Sequence, residues 1–303
     1  MKRVIITGGT GFIGQWLVKE LLIQDIQIVL LSIGKSGRGN IQEEHNITHI
    51  YVDTYHDVLG KISKGFDAFF HLGWGGVDAA DKNDVNLQMA NIQTSLDALM
   101  TAKQLDCELF IGAGTVAEYT FNKDLIDPTM KQTPNDMYGA AKTAAHYLLE
   151  VYAKQIQQKM IWVILPSTYG EGRRKDNIIT YTICKLLDEE VPIYGSLEQL
   201  WDFLYVKDVA QALIAVAEKG IPGTTYGIGS GTYRRLKDYV MDIRDMINPQ
   251  LELGIGQMED RTKEQFSSCV NIERIMHDTY WMPQTSFRSG MQRTIEYYRK
   301  RRK

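Results

Sequence analysis

From position 7 to position 14 the chain reads Thr7-Gly8-Gly9-Thr10-Gly11-Phe12-Ile13-Gly14, and no other stretch restricts the fold as strongly. The short apolar run Arg3–Thr7 leads into it, and the apolar spacing of residues 12–22 leads out of it as a packed helix. Glycines at 8, 11 and 14 in a strand-to-helix turn bring backbone amides and a helix N-terminus to a pyrophosphate group. A tight packing turn with no ligand is the plainer alternative. The strand before and the helix after are the context that a dinucleotide-binding turn requires.

The same alternation continues along the chain. Residues 26–31, 49–53 and 68–72 read as further strands, residues 84–103 as a long amphipathic helix, and 107–111 as another strand. A second long helix is predicted over 137–158, followed by the buried strand Met160–Leu165. Apolar β-rich runs between helices predict an α/β fold, a doubly wound parallel sheet with helices on both faces. From about Thr168 the glycines and prolines crowd closer and the elements shorten. The expected division is a dinucleotide-binding domain over 1–167 and a smaller mixed α/β substrate lobe over 168–303, interleaved with the first.

Composition narrows the function classes. Hydrophobic residues are 44% and charged residues 23% of 303, which is ordinary globular usage and disfavours disordered or fibrous classes. The net charge of −3 and the lack of a long basic run make nucleic acid an unexpected partner. The start of the chain is too short in apolar residues for a signal peptide, and no apolar run reaches the roughly 18 residues of a membrane span. A cytoplasmic protein without a membrane segment is expected. Cys107, Cys184 and Cys269 are far apart, with no Cys or His at ligand spacing, so neither a disulfide framework nor a metal site is expected.

Several side chains carry candidate chemistry. The second strand ends Ser32-Ile33-Gly34-Lys35-Ser36-Gly37-Arg38, without the carboxylate that grips a ribose diol in many NAD sites. Ser32, Lys35 and Arg38 could hold a 2′-phosphate instead, which favours NADP; solvated loop charges are the alternative. Asp53, after the third strand, could accept from an adenine amino group or cap the turn near Tyr55. Tyr138 and Lys142 lie four apart in a helix-prone stretch and share one face. A phenol is a poor acid or base at neutral pH until an adjacent ammonium stabilises its anion. Thr115, beyond the strand 107–111, sits where ligands bind in such sheets and could hydrogen-bond a substrate oxygen.

Together these residues resemble the extended short-chain dehydrogenase/reductase family, in particular its nucleotide-sugar epimerase/dehydratase branch. The resemblance runs nearly the whole chain. It takes in the glycine turn, Asp53, His71-Leu72, Asn91, Thr115, Tyr138-Gly139-Ala140-Ala141-Lys142, Tyr169-Gly170, the block from Asp202 to Ala210, and the Tyr226–Gly231 segment, numbered 226–231. It implies a Rossmann fold with Tyr138 as proton donor or base, Lys142 on the nicotinamide ribose, and Thr115 polarising the sugar oxygen. It further implies that Gly8, Thr10, Gly11, Phe12, Ile13, Gly14, Thr54, Leu72, Gly73 and Pro166 contact the cofactor. Asn91 is implied as an organiser of the site, and Trp74, Ser167, Trp201 and Arg261 as substrate contacts. Arg234 and Arg235 are further candidates for a diphosphate.

The departures bear on reaction type. Dehydratases of this branch carry T-D-E-V-Y, whereas Thr115-Val116-Ala117-Glu118-Tyr119 stands here. Val116 and Ala117 move no proton, which argues against water elimination unless Glu118 takes the role over. The first expectation is therefore an NADPH-dependent reductase of a nucleoside-diphosphate 4-keto-6-deoxy sugar. The alternative is an NAD-dependent nucleotide-sugar 4-epimerase, and the remote one a non-catalytic dinucleotide-binding regulator. A homodimer pairing through the two long helices is also expected.

Overall fold

A computed structural model describes residues 1–34, 45–77, 81–119, 125–174, 177–259 and 268–302. Seven strands form its central sheet: β1 (Arg3–Thr7), β2 (Gln27–Ile33), β3 (Ile47–Val52), β4 (Phe66–His71), β5 (Cys107–Thr115), β6 (Met160–Leu165) and, from late in the chain, β10 (Thr225–Gly227). All are parallel, in the order β10-β6-β5-β4-β1-β2-β3. The expected doubly wound sheet is present. Burial on both faces explains why these strands read as continuous apolar runs rather than alternating ones. Phe69 and Phe70 of β4 are both fully buried, yet they enter different cores on opposite sides of the sheet. Each such side chain contributes about 1.5–3 kcal/mol by leaving water.

Helix α1 (Phe12–Ile23) follows the glycine turn. The long helices α2 (Val85–Gln104) and α3 (Met137–Gln155) lie together on the other face, each begun by an aspartate cap. Asp84 accepts from the Leu87 amide at 3.0 Å and Asp136 from the Gly139 amide at 2.7 Å. Helix α3 ends at Gln155, earlier than the apolar spacing predicts, because Gln157 turns into the left-handed region.

After β7 (Ser167–Tyr169) the chain builds a third, smaller core from α4 (Ile178–Leu187), α6 (Leu236–Ile247) and α8 (Phe287–Lys300), with the short strands β8 (Leu200–Trp201), β9 (Phe203–Tyr205) and β11 (Arg234–Arg235). Between them, α5 (Val206–Lys219) packs back against α1, and α7 (Glu273–Thr279) lies against α5 and β10. The region after residue 168 therefore contributes to this third core and to those on the two faces of the sheet. Two aspartates of the 202–210 block serve this architecture: Asp202 accepts from the Ser230 amide, and Asp208 from the Thr285 amide. Among the described residues no helix is long and apolar enough to cross a membrane.

The sheet register positions the site. Thr7 pairs with His71, His71 with Gly112, and Thr115 with Leu165, so β1, β4, β5 and β6 all end on one edge. Strand order reverses direction between β1 and β4, which opens a crevice there.

Candidate active site

The glycine turn is built by close backbone approach. Gly8 has φ +70°, and its carbonyl accepts from the Gly11 amide at 3.0 Å. A Cβ on Gly14 would stand 2.1 Å from that carbonyl oxygen, so nothing larger than glycine fits. We expect Gly14→Ala to cost about 1–3 kcal/mol or more and to weaken dinucleotide binding, measurable by urea unfolding and a fluorescence titration. The first turn of α1 has no acidic residue, and its N-cap Gly11 brings no capping side chain. No acidic or capping side chain therefore competes with an anion for the amides and dipole of this helix end.

A cavity of about 1500 Å³ opens over this edge and runs to the smaller core. Gly8, Gly11, Phe12, Ile13, Gly14 and Leu72 form one wall. Trp74, Thr115, Tyr138 and Lys142 stand in its middle, with Pro166, Ser167 and Trp201 further along. Sequence spacing thus converges on one place. The Tyr138 hydroxyl hydrogen-bonds the Thr115 side chain, and its ring meets Trp74 edge to face at 6.3 Å. Lys142, buried, donates to the Ala113 carbonyl at 2.7 Å and lies 3.8 Å from the centre of the Trp74 ring.

The electrostatics differ from the simple expectation of a tyrosine lowered by its lysine. Burial dominates both groups. It pushes the Tyr138 phenol up to about 12, against the opposing effects of the Thr115 hydrogen bond and the Arg173 charge. It pushes the Lys142 ammonium down to about 7, against the charge of Glu118.

The other candidates among the described residues lie off the cavity walls. Asn91 exchanges two 2.9 Å hydrogen bonds with the backbone of Gly75 and so fixes the loop that carries Trp74. Gly73 donates its amide to Thr7 at 3.2 Å, and Thr10 gives its carbonyl to Gln15. Ser32 is hydrogen-bonded to His49 at 2.9 Å. Asp53 is exposed, and it is Thr54, not Asp53, that caps the short turn Tyr55–Val58, in a reciprocal box with Asp57. Lys35, Arg38 and Arg261 lie outside the described residues. Arg234 and Arg235 are engaged in ion pairs with Asp242 and Glu198.

Glu118, the possible substitute acid, turns into the core. It is fully buried, accepts from the Thr115 amide at 2.9 Å and from the Trp162 indole at 3.3 Å, and is absent from the cavity lining. Val116 and Ala117 face the cavity instead. Arg173 and Lys82 also reach it, both missed by the motif reading. Arg173 lies 5.4 Å from the Phe12 ring and Lys82 lies 5.2 Å from the Tyr138 ring. Gln88, likewise missed, is fully buried and holds the Trp74 indole at 2.9 Å. A polar residue on the buried side of an amphipathic helix was the available signal.

Beneath the turn runs a directed chain of hydrogen bonds. Gly73 donates to Thr7, whose hydroxyl meets His71 Nδ1 at 2.8 Å; His71 Nε2 meets Ser95 at 2.9 Å, and Ser95 donates to the Asn91 carbonyl at 2.8 Å. Consistent donors along it require the neutral imidazole with its proton on Nε2. Burial, aided by the Lys142 charge, pushes His71 down to about 3. The unfolded chain binds this proton near pH 6.5 and the folded one does not, so stability falls as pH drops from 6.5 toward 3. Urea midpoints at several pH values should show this slope, reduced in His71→Asn.

Comparison with known proteins adds to this geometry. A family model described as "NAD dependent epimerase/dehydratase family" matches residues 4–229. The dTDP-glucose 4,6-dehydratase of Neisseria gonorrhoeae is 25% identical over 331 residues, covering 98% of this chain and 95% of that protein. The fold is similar to that of a UDP-N-acetylglucosamine 4-epimerase from Methanobrevibacter ruminantium M1, solved with UDP-N-acetylmuramic acid, at TM-score 0.88, 22% identity and 99% coverage of both chains. It is also similar to a UDP-glucuronic acid 4-epimerase from Bacillus cereus, solved with UDP-glucuronic acid and NAD, at TM-score 0.86, 21% identity, and coverage of 98% and 99%.

Proposed function

This chain belongs to the NAD dependent epimerase/dehydratase family, and within it we propose an NADPH-dependent reductase that acts on C4 of a nucleoside-diphosphate 4-keto-6-deoxy sugar. The observation that carries the reading is the cavity wall beside Thr115, where Val116 and Ala117 offer no acid or base for elimination. The helix end without a capping side chain and the glycine cradle suit a dinucleotide pyrophosphate. The bound dinucleotide would supply the hydride. Thr115 orients the sugar oxygen, Tyr138 gives its phenolic proton to that oxygen, and Lys142 holds the nicotinamide ribose. Arg173 and Lys82 are cations at the cavity suited to a diphosphate. Strand β2 ends at Ile33 without a carboxylate, which supports NADP; Ser32, Lys35 and Arg38 are the proposed 2′-phosphate contacts.

A second reading, the NAD-dependent 4-epimerase, uses the same three residues. The engagement of Ser32 with His49 favours it. One preparation separates the two. Protein purified without added cofactor is denatured and any released dinucleotide identified, and stripped protein is titrated with NADPH and NADH. Empty protein that prefers NADPH and consumes 4-keto nucleotide-sugars supports the reductase; stoichiometric NAD on release overturns it in favour of the epimerase.

We also propose a homodimer through α2 and α3. Met89, Tyr147, Leu148 and Val151 of these helices are each about half exposed, an apolar area suited to a second copy. Sedimentation should give twice 34.5 kDa, and Leu148→Glu should shift it to the monomer.

A further inference from the structure

We propose that Glu118 is a positioning residue of this reaction: it fixes the end of β5 beneath Thr115 and supplies the buried negative charge that balances Lys142. The inference rests on the roles given above to Thr115, Tyr138 and Lys142.

Strand β5 leaves the sheet between two opposite charges. Lys142 binds the Ala113 carbonyl, and Glu118 binds the Thr115 amide two residues later. One clamp therefore sets where the Thr115 hydroxyl stands relative to Tyr138. Glu118 reaches this place because Gly114 leaves it open; a Cβ there would lie 2.5 Å from Glu118 Oε1 and 2.3 Å from Trp162 Nε1.

The groups around the clamp are few. Glu118 faces Trp162 from β6 and His146 from α3, whose Nδ1 lies 3.5 Å from its second oxygen. Its own carbonyl accepts from the Thr133 amide, and the neighbouring Tyr119 hydroxyl goes to the Pro128 carbonyl. Lys142 faces Trp74, and its charge is felt by His71 from β4. Tyr138 faces Thr115, Lys82, Arg173 and Asp136, and the charge of Glu118 itself also acts on it and raises the phenol. A fully buried carboxylate is costly unless it is paired. Here it opposes the desolvation of Lys142. Keeping that lysine cationic at neutral pH is what the ribose contact and the tyrosine require.

Lysine side chains labelled with carbon-13 allow the Lys142 titration to be followed by NMR in dinucleotide-free protein, its signal identified by loss in Lys142→Arg. Glu118→Gln keeps an acceptor for the Thr115 amide and removes the charge. We expect it to lower the Lys142 midpoint by about one pH unit, tenfold in proton affinity. The alkaline limb of the reduction rate should move to lower pH in the same variant, because the cation is lost earlier as pH rises. A Lys142 midpoint equal to wild type in Glu118→Gln overturns the proposal. Glu118→Asp keeps the charge and shortens the reach; it should leave the Lys142 titration in place and lower kcat about tenfold, near the smaller end of what misplaced catalytic groups lose. Should Glu118→Gln not fold, wild-type rate and titration together in Glu118→Asp also overturn it. The titration uses no substrate, so a wild-type protein inert toward 4-keto sugars defeats the reductase reading without touching this result.

Discussion

Replacing Tyr138 with phenylalanine is expected to lower kcat for 4-keto-sugar reduction by about 10²–10⁴-fold, the range lost with a positioned general acid. The change removes one oxygen and leaves the ring. Its contacts with Trp74 and Lys82 stay available, and the hydroxyl's hydrogen-bond partner, Thr115, still has the Ala117 amide. Dinucleotide affinity, KM and thermal stability should therefore change little, so the loss falls on the chemical step. Steady-state kinetics with a 4-keto nucleotide-sugar, beside an NADPH titration, makes the check. A kcat within about threefold of wild type would take the proton away from Tyr138.

Trp162→Ala is expected to destabilise the fold by about 3–5 kcal/mol, the usual loss for a large aromatic in a core. Trp162 is 3% exposed and lies against β5 where two glycines give it room; a Cβ on Gly112 would come 2.4 Å from its ring. His146 stacks on it at 4.8 Å, nearly parallel. Truncation thus leaves a cavity that neither the glycines nor the flat imidazole can fill. It also removes the indole donor from buried Glu118, which adds a desolvation cost. The urea midpoint measures the loss, with an unchanged slope showing that the unfolding remains two-state. Trp162→Phe, which refills most of the space but not the hydrogen bond, should recover the larger part.

Much of this arrangement was legible from residue types and spacing. Thr115, Tyr138 and Lys142 were placed in one site because helical spacing aligns 138 with 142 and because parallel strands end on one edge. The glycine turn was legible because only glycine tolerates the approach of Gly14 to the Gly8 carbonyl. Gly112 and Gly114 were not read, since a glycine inside a strand announces a close neighbour without saying which one. Their neighbour, Trp162, is nearly fifty residues away and arrives only through the β5–β6 register.

The sequence by itself determined the parallel α/β architecture, the glycine turn and the residue set proposed for proton transfer, because these depend on local periodicity and on short spacings. Tertiary structure decided which charges face the cavity and which support it from behind. Glu118 could have entered the site as an acid, and Arg234 could have met a diphosphate; packing turned the first toward Trp162 and His146 and paired the second with Asp242. Arg173 and Lys82, unmarked by any spacing, were brought to the cavity instead. The physical reason is that a side chain's protonation and reach follow from desolvation and from partners distant in sequence, and those exist only once the sheet has closed around them.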